Sequence, residues 1–491
     1  MNLALESRWQ NGLTAPLAEI IMPPSSGDIH SMQARGAIVP GPRGRPPLED
    51  LRALQQGPHA FLLRATSEYG DFIRYPVGPI AVYVVNHPDY VKHVLQDNSR
   101  NYTKDTFQYK LLSSVTGQGL LTSDGEFWLR QRRLAQPAFH RQRIAGFGPV
   151  MSDAIQCMLS QWGDTAGRGA PVDIAAEMMH LALQIVCRTL FDLDVGDQAS
   201  SLARATLVVL DHIVQRARTF GVLPEFLPTP ANRRFRAALR TLDQAVATTI
   251  QQHHRGEQAA DDLLATLMAA QDEETGERMT DRQLRDEIIT MIIAGHETVA
   301  SALAWTWYLL SQNPSAERAL HEELATELGG RVPTVDDLPN LQYTRQVFEE
   351  ALRLYPPAWI ITRKAAGHDD VGGFHVPPGA LVVASPYATH RHPNFWPSPD
   401  AFEPQRFAPE CAAQRPRFAY YPFGGGPHLC IGNVFAMMEA QLAIASIAQV
   451  YRLHLAPGHP VEVEPSVTLR PRFGLRMTIE TSRAYDLPRT K

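Results

Sequence analysis

The sequence predicts a mostly α-helical protein with a few small β-sheets, and three observations lead to this fold class. Apolar residues recur at helical spacing over long stretches, including Ile174–Phe191, Phe235–Gln252 and Asp281–Gln312. Short runs rich in Val, Ile and Tyr, which are typical of strands, are few. The composition, 44% hydrophobic and 20% charged, is ordinary for a globular protein and supplies enough apolar material for a large core.

The elements follow one another without an internal repeat or an interdomain linker. Val39–Pro47 is rich in Pro and Gly and predicts an extended segment, because proline excludes a helix interior. Leu48–Tyr69 then has a helical pattern, and Phe72–Val85 predicts two strands. Val376–Ser385 predicts a second strand-rich part, and Val461–Ile479 predicts hairpins near the C-terminus.

The N-terminal residues differ from the rest of the chain. Residues 1–39 mix charged and apolar residues, with neither the positive segment and apolar core of a secretory signal nor a membrane-spanning run. We therefore expect an extension without an integral membrane anchor at 1–39 and a single catalytic domain at 40–491.

Four cysteines without a C-x-x-C pair make no disulfide framework. They favour a reducing compartment, and we expect a cytoplasmic protein.

The net charge of −5 argues against a nucleic-acid-binding protein, which normally carries a basic domain. Of the cysteines, Cys157 and Cys187 lie in apolar helical patterns and are predicted to be core residues, whereas Cys411 lies in a polar loop. Only Cys430 stands in a distinctive setting. It follows a glycine-rich segment, and an apolar helix begins directly after it.

That segment, residues 421–432, reads Tyr-Pro-Phe-Gly-Gly-Gly-Pro-His-Leu-Cys-Ile-Gly. Glycines allow close backbone approach to a flat cofactor, and a thiol at a helix N-terminus is favoured as the thiolate. The alternative is that Cys430 has no function and is simply a buried cysteine in a turn, since free cysteines are commonly buried. A phosphate-binding loop is a poor match, because it requires Gly-Lys-Ser/Thr at its end.

The helix Asp281–Gln312, about 48 Å long at roughly 1.5 Å per residue, has a polar interruption at its centre. His296 and Glu297 would be costly in lipid, which disfavours a membrane helix. They begin the zinc-protease pattern H-E-x-x-H, but residue 300 is Ala, so the second ligand is missing. Instead, Thr298 is expected to bond back to the carbonyl of Ala294, four residues earlier, and to make room for a small ligand.

Phe423-x-x-Gly426-x-His428-x-Cys430-x-Gly432 resembles the haem-binding signature of the cytochrome P-450 family. The resemblance implies that family's fold, a triangular prism with a long central helix over the haem. It implies haem b (iron protoporphyrin IX) with Cys430 as the axial ligand of the iron, which favours O–O cleavage. Phe423 is then expected beside the sulfur and His428 on a haem propionate, with the two signature glycines close to the cofactor.

The central helix carries a second resemblance, because Ala294-Gly-His-Glu-Thr298 is similar to the family's oxygen-activation stretch. By this resemblance Ala294 lies against the cofactor, Thr298 supports oxygen activation and Glu297 helps to relay protons. Cleavage of the O–O bond requires protons, which explains an alcohol beside an acid. Read alone, both side chains could be ordinary helix residues.

Arginines and one tryptophan resemble the family's propionate partners. Trp128 and Arg132, in Gly125-Glu-Phe-Trp-Leu-Arg-Gln-Arg-Arg133, and Arg363 are implied to reach the haem carboxylates, for which arginine is a natural partner. Arg130 and Arg133 either form a solvated helix face or meet an acidic redox partner. The pair Glu350 and Arg353, three residues apart on a helix, together with Arg406 resembles the family's structural network that supports the cysteine loop.

The resemblance implies a monooxygenase that inserts one oxygen atom of O2 into a lipophilic substrate, by hydroxylation or epoxidation. A fatty acid, terpenoid, steroid or polyketide would fit. Electrons are expected from a ferredoxin or flavodoxin with its NAD(P)H reductase. A peroxide-driven or isomerase-type enzyme and a haem-based binding or sensor protein remain open. By analogy the substrate walls are Tyr102–Leu121, Leu207–Leu227, Ile289–Ala294, Ala358–Ile361 and Leu469–Phe473.

Overall fold

A computed structural model describes residues 39–42, 48–77, 80–166, 169–191, 196–218, 226–256 and 262–482. The helices are α1 (Leu48–Gln56), α2 (Pro58–Tyr69), α3 (Pro88–Lys92), α4 (Phe107–Thr116), α5 (Gly125–Ala135), α6 (Arg141–Gly146), α7 (Gly148–Ala166), α8 (Ile174–Phe191), α9 (Gly196–Arg218), α10 (Pro230–His254), α11 (Leu263–Ala269), α12 (Asp281–Gln312), α13 (Pro314–Leu328), α14 (Gln342–Leu354), α15 (Pro386–Thr389), α16 (Pro409–Ala412) and α17 (Asn433–Val450).

The strands are short and belong to small sheets. They are β1 (Phe72–Val77), β2 (Ile80–Val85), β3 (Tyr102–Thr103), β4 (Val172–Asp173), β5 (Ile361–Ala365), β6 (Asp369–Val371), β7 (Phe374–Val376), β8 (Leu381–Ala384), β9 (Tyr451–Leu455), β10 (Val463–Pro465), β11 (Leu469–Pro471) and β12 (Arg476–Thr481). One sheet has the order β1-β2-β8-β5-β3, another has the order β4-β12-β9, and β6-β7 and β10-β11 are two-stranded. The prediction of a mostly α protein with small sheets is confirmed.

The central element is α12, which packs along α8 and also contacts α10, α14 and α17. It begins at a capping box, in which Thr280 accepts from the backbone N–H of Gln283 and the Gln283 side chain accepts from that of Thr280. Trp305, in its second half, is completely buried. Among the described residues, α12 and α17 are long and apolar enough to cross a membrane, yet most of each lies buried inside the fold.

Element boundaries follow local chemistry. The helical pattern over Leu48–Tyr69 is two helices, because Gly57 and Pro58 interrupt it and proline has no N–H to continue the first helix. The helix predicted at Phe235–Gln252 begins earlier, at Pro230, where Thr229 accepts from the backbone N–H of Asn232.

Two cysteine assignments have different outcomes. Cys187 is buried as predicted, but Cys157 is exposed, so its assignment to the core is wrong. It lies on the outer side of α7, whose neighbouring Ala154 and Ile155 are fully buried.

Nearly all of the predicted N-terminal extension, residues 1–38, lies outside the described residues, so that expectation stays a prediction.

Candidate active site

An apolar cavity lies between α12 and the cysteine loop, residues 421–432. Ala294, Gly295 and Thr298 of α12 line it, together with Phe423 and Cys430 of the loop. Sequence reasoning expected these residues at one site, and the structure brings them together. The side chain of Cys430 is exposed, and because it lines the cavity, its free surface faces the interior.

The cysteine loop is shaped by a glycine and by backbone hydrogen bonding. Gly426 has φ of +64°, and a Cβ atom there would lie 1.9 Å from the carbonyl oxygen of Leu95, so only glycine fits. The backbone N–H of Cys430 donates to the carbonyl of Phe423 at 3.0 Å. This bond closes the loop, and α17 begins three residues further on, at Asn433.

The surroundings of Cys430 within the protein do not favour its thiolate form. Its depth in the fold raises the pKa of the thiol, although the backbone N–H of Gly432 and the nearby Arg132 act in the opposite direction. The loop and the helix start therefore do not overcome the cost of burial. A cation bound to the sulfur would favour the thiolate, as metal coordination does for cysteine.

Basic side chains converge at one edge of the cavity: Lys104, Arg132, Arg363 and His428. Burial, together with Arg363, lowers the pKa of Lys104 to about 7, and burial also lowers the pKa of Arg132. The pKa of His428 falls to about 2, through burial and the three neighbouring cations. Like charges gathered in this way indicate a binding site for an anion.

The hydrogen bonds of these residues leave room for such an anion. Arg132 donates to the carbonyl of Leu429 at 3.0 Å, and Arg363 donates to the hydroxyl of Tyr109 at 2.9 Å. Nδ1 of His428 is buried without a hydrogen-bond partner in the described part of the chain. The other ring nitrogen lies 3.8 Å from Asp124.

Trp128 packs against this basic edge. Its ring centroid is 3.9 Å from that of His428, and Nζ of Lys104 lies 5.6 Å from its centroid. Sequence reasoning missed Lys104, because Asn101-Tyr-Thr-Lys-Asp-Thr106 is a polar loop without a recognised pattern. The lysine is 6% exposed and becomes part of the site only through the fold.

On α12, the hydroxyl of Thr298 donates to the carbonyl oxygen of Ala294 at 2.6 Å, as the sequence predicted. Glu297 points elsewhere. It is 1% exposed and does not line the cavity, and one carboxylate oxygen accepts from Thr468 at 2.9 Å. Burial raises the pKa of Glu297, while Thr468 and Arg470 oppose the rise.

A second acid on α12, Glu287, was also missed. It lines the cavity with none of its surface exposed to solvent, and it accepts from the backbone N–H of Leu120 at 3.1 Å. Nζ of Lys104 donates to the carbonyl of the same Leu120 at 3.0 Å. Burial raises the pKa of Glu287 to about 7. The sequence did indicate that Glu287 faces the cavity, because it precedes Ala294 by seven residues, which is two helical turns on the same face.

The expected structural network is present and lies outside the cavity. Glu350 and Arg353 form a bidentate ion pair with bonds of 2.7 and 2.8 Å, and both side chains are fully buried. Nε of Arg406 lies 3.5 Å from Glu350. Arg353 also donates to the carbonyl of His390, whose ring accepts from the backbone N–H of Tyr421 at the start of the cysteine loop. The network therefore reaches the loop through His390.

Two other expectations are modified. Arg130 is paired with Glu277, and Arg133 is paired with Asp272 and Glu274, so both are engaged within the chain rather than forming a free basic face. Of the expected substrate walls, three contribute side chains to the cavity: Tyr109, Leu120, Leu121, Thr290, Met291, Ala294, Ala358 and Ile361. In the described part of the chain, Leu207–Leu227 and Leu469–Phe473 do not. Instead α8 and α14 supply Val186, Leu190, Phe348 and Leu352.

Comparison with known proteins identifies this arrangement. The family model for cytochrome P450 matches residues 40–475. The chain is 40% identical to the cyclooctatin synthase of Streptomyces melanosporofaciens, over 89% of this chain and 94% of the relative. It is 36% identical to the cyclooctat-9-en-7-ol 5-monooxygenase of the same organism, over 87% and 95% of the two chains. The crystal structure of the cytochrome P450DA heme domain superposes with a TM-score of 0.83 at 27% identity, covering 91% and 99%.

The fold and these matches define the class of protein, a haem-dependent oxidoreductase. The chain belongs to the cytochrome P450 family, whose members incorporate oxygen into their substrates. The residues of the cavity fit the haem of that family. Cys430 offers a ligand for the iron, Gly424 and Gly425 give close backbone access, and the basic edge matches a pair of carboxylates.

Proposed function

We propose that the protein is an O2-dependent monooxygenase that hydroxylates or epoxidises a carbocyclic terpenoid and carries haem b. The observation that carries this proposal is the placement of Cys430 and Thr298 on one cavity, with Thr298 bonded to the carbonyl of Ala294. Thr298 is the alcohol next to an acid that oxygen activation requires. This favours oxygen chemistry over a binding or sensor protein.

Bound through Cys430, a haem would supply the chemistry of O2 reduction and cleavage. Arg132, Arg363, His428 and Lys104 would hold its carboxylates, with Trp128 packed beside them. The Thr298 hydroxyl donates its own proton to Ala294, so its oxygen is free to accept a hydrogen bond and would hold a further proton in the cavity. Glu297, the residue before Thr298 on the helix, lies outside the cavity lining and would replace that proton from there. The apolar wall excludes water, which protects the reaction from side reactions.

The substrate class is inferred from the cavity and from one relative. The wall is mostly aliphatic and aromatic, with Tyr109, Thr290 and Glu287 among its few polar side chains. Such a lining suits a bulky hydrocarbon with one hydroxyl group. The monooxygenase named above acts, by its name, on cyclooctat-9-en-7-ol, a cyclic alcohol of this kind. A terpenoid alcohol is therefore the preferred substrate class among those that the sequence allows.

The electron donor and location are also part of the proposal. We propose a ferredoxin or flavodoxin with its NAD(P)H reductase as the donor, in the cytoplasm. The domain at 40–491 would act as one catalytic unit, with residues 1–39 as an extension.

The central test is spectroscopic. The reduced protein with bound CO is expected to show the absorption of a thiolate-ligated haem, and Cys430→Ala is expected to abolish it. Cys187→Ala, which changes a buried cysteine outside the cavity, is the control and should keep it. With added ferredoxin and reductase, a terpenoid alcohol should acquire one atom of labelled O2. A thiolate spectrum that survives Cys430→Ala would contradict the proposal, as would ligand binding without consumption of reductant.

A further inference from the structure

The carboxylate of Glu297, on α12, is held by a residue that lies far from it in the sequence. Thr468, between β10 and β11, donates its hydroxyl to Oε1 of Glu297 at 2.9 Å, and the threonine is 3% exposed. Oε2 of Glu297 is buried without a hydrogen-bond partner among the described residues. A buried carboxylate with one partner is costly to keep, so its position depends on that partner.

The segment that carries Thr468, which we call the β10–β11 turn (residues 466–470), is fixed to α12. The carbonyl oxygen of Leu469 accepts from the hydroxyl of Ser301 at 2.6 Å and from the indole N–H of Trp305 at 2.8 Å. Glu297, Ser301 and Trp305 are spaced four residues apart, so they form one face of the helix. This face meets the β10–β11 turn, whereas Thr298 faces the cavity. The turn therefore cannot shift without moving the contact to Glu297.

Charged groups continue from the turn to the surface. Arg470 donates to Glu464 at 3.0 Å and to Asp211 of α9 at 3.2 Å. The side chain of Arg470 is 25% exposed and that of Asp211 is 55% exposed. Arg470 and Asp211 are also the charged groups that act on Glu297, the first lowering its pKa and the second raising it. Arg470 and Asp211 are thus hydrogen-bonded to each other near the surface, and both act on Glu297 through their charge.

We propose that protons enter this enzyme at the β10–β11 turn, and that Thr468 and Arg470 are positioning residues for Glu297. The inference depends on the proposed function. Thr468 holds the carboxyl at the β10–β11 turn, on the face of α12 that meets this turn. Each proton that Glu297 gives up toward Thr298 is replaced by one from solvent at the Arg470–Asp211 pair. Because Asp211 lies on α9, the position of this helix also affects the supply of protons.

The test measures Glu297 directly. In infrared titration of the holoenzyme, the carboxyl band that Glu297→Gln removes is expected to titrate at higher pH in Thr468→Val, because the ionised form loses its donor. Thr468→Ser should retain the wild-type midpoint. Arg470→Gln is expected to raise the midpoint and Asp211→Asn to lower it, in keeping with the charge that each removes. Unchanged midpoints in all of these variants would overturn the proposal.

Turnover supplies a second measurement. Product formed per reductant consumed is expected to fall about tenfold in Thr468→Val, since one hydrogen bond to a charged group is lost. Thr478→Val removes a hydroxyl of β12 that donates to the carbonyl of His454, and this change should leave the ratio unchanged. If Thr468→Val kept both the thiolate spectrum and the wild-type ratio of product to reductant, proton entry at the β10–β11 turn would be refuted. The proposed monooxygenase activity would not be. If the wild type made no product, the proposed function would fail, while the infrared titration would still decide the role of Thr468.

Discussion

Glu350 and Arg353 form an ion pair in which neither side chain has any exposed surface, and Arg353 additionally donates to the carbonyls of His390, Pro399 and Ala401. One arginine thus joins α14 to the segment that precedes the cysteine loop. The pair is structural, because it lies outside the cavity, yet it determines where that loop begins.

Glu350→Gln is expected to destabilise the protein by about 3–5 kcal/mol, because it leaves a buried guanidinium without its countercharge. Chemical unfolding of the purified protein measures the change. The matched control is Arg345→Ala, which removes an ion pair with Glu349 on the same helix where the arginine is 61% exposed. That change is expected to cost less than about 1 kcal/mol. Equal losses in the two variants would contradict the structural role of the buried pair.

Thr298→Ala is expected to keep the haem and its thiolate spectrum while reducing equivalents are diverted to hydrogen peroxide. The alcohol that holds a proton in the cavity is lost, but no ligand of the haem is changed. Peroxide and product are measured against reductant consumed. Thr306→Ala is the control, since Thr306 makes the same kind of bond, to Ala302, on the same helix without lining the cavity. Normal coupling in Thr298→Ala would remove Thr298 from the mechanism.

Glu287 is expected to make stability depend on pH. Its pKa is raised from 4.5 to about 7 by burial, so between these values the folded state keeps a proton that the unfolded state releases. The free energy of unfolding should therefore decrease as the pH rises from about 4.5 to about 7. Urea unfolding at several pH values is expected to show a weaker decrease for Glu287→Gln. Glu126→Gln, at an exposed site on α5, should follow the wild type.

Gly426→Ala is expected to disrupt the cysteine loop. The added Cβ would lie 1.9 Å from the backbone oxygen of Leu95, and φ is +64°. Gly458→Ala separates the two effects, because Gly458 has φ of +75° with no atom within 4 Å of the added Cβ. The control should cost about 1–2 kcal/mol, from the backbone conformation alone. Gly426→Ala should cost more and release haem, which haem content after gel filtration measures. Similar results for both variants would contradict the steric argument.

Much of the site could be predicted from local sequence. The bond from Thr298 to Ala294 depends only on helical spacing, and the Cys430 loop depends on a contiguous run of residues. Lys104 and Glu287 could not be paired in this way. They meet at the peptide of Leu120, although Glu287 lies 167 residues from it. The local pattern also could not predict which side of a helix faces the core, as the exposed Cys157 shows.

The direction of Glu297 shows the same limit. Its neighbour Thr298 faces the cavity, and helical geometry alone turns the acid away from it. What receives the acid, Thr468, lies 171 residues further along the chain. The assignment of Glu297 to proton transfer could be made by resemblance, but the side chain that holds it could be found only in the folded protein.

The Leu120 peptide lies between two groups, since its carbonyl accepts from Lys104 and its N–H donates to Glu287. Lys104 also belongs to the edge that would receive the carboxylates of the haem. The same lysine would therefore serve both the prosthetic group and the wall of the cavity at Leu120 and Glu287. A change at Lys104 would then alter cofactor retention and substrate choice together.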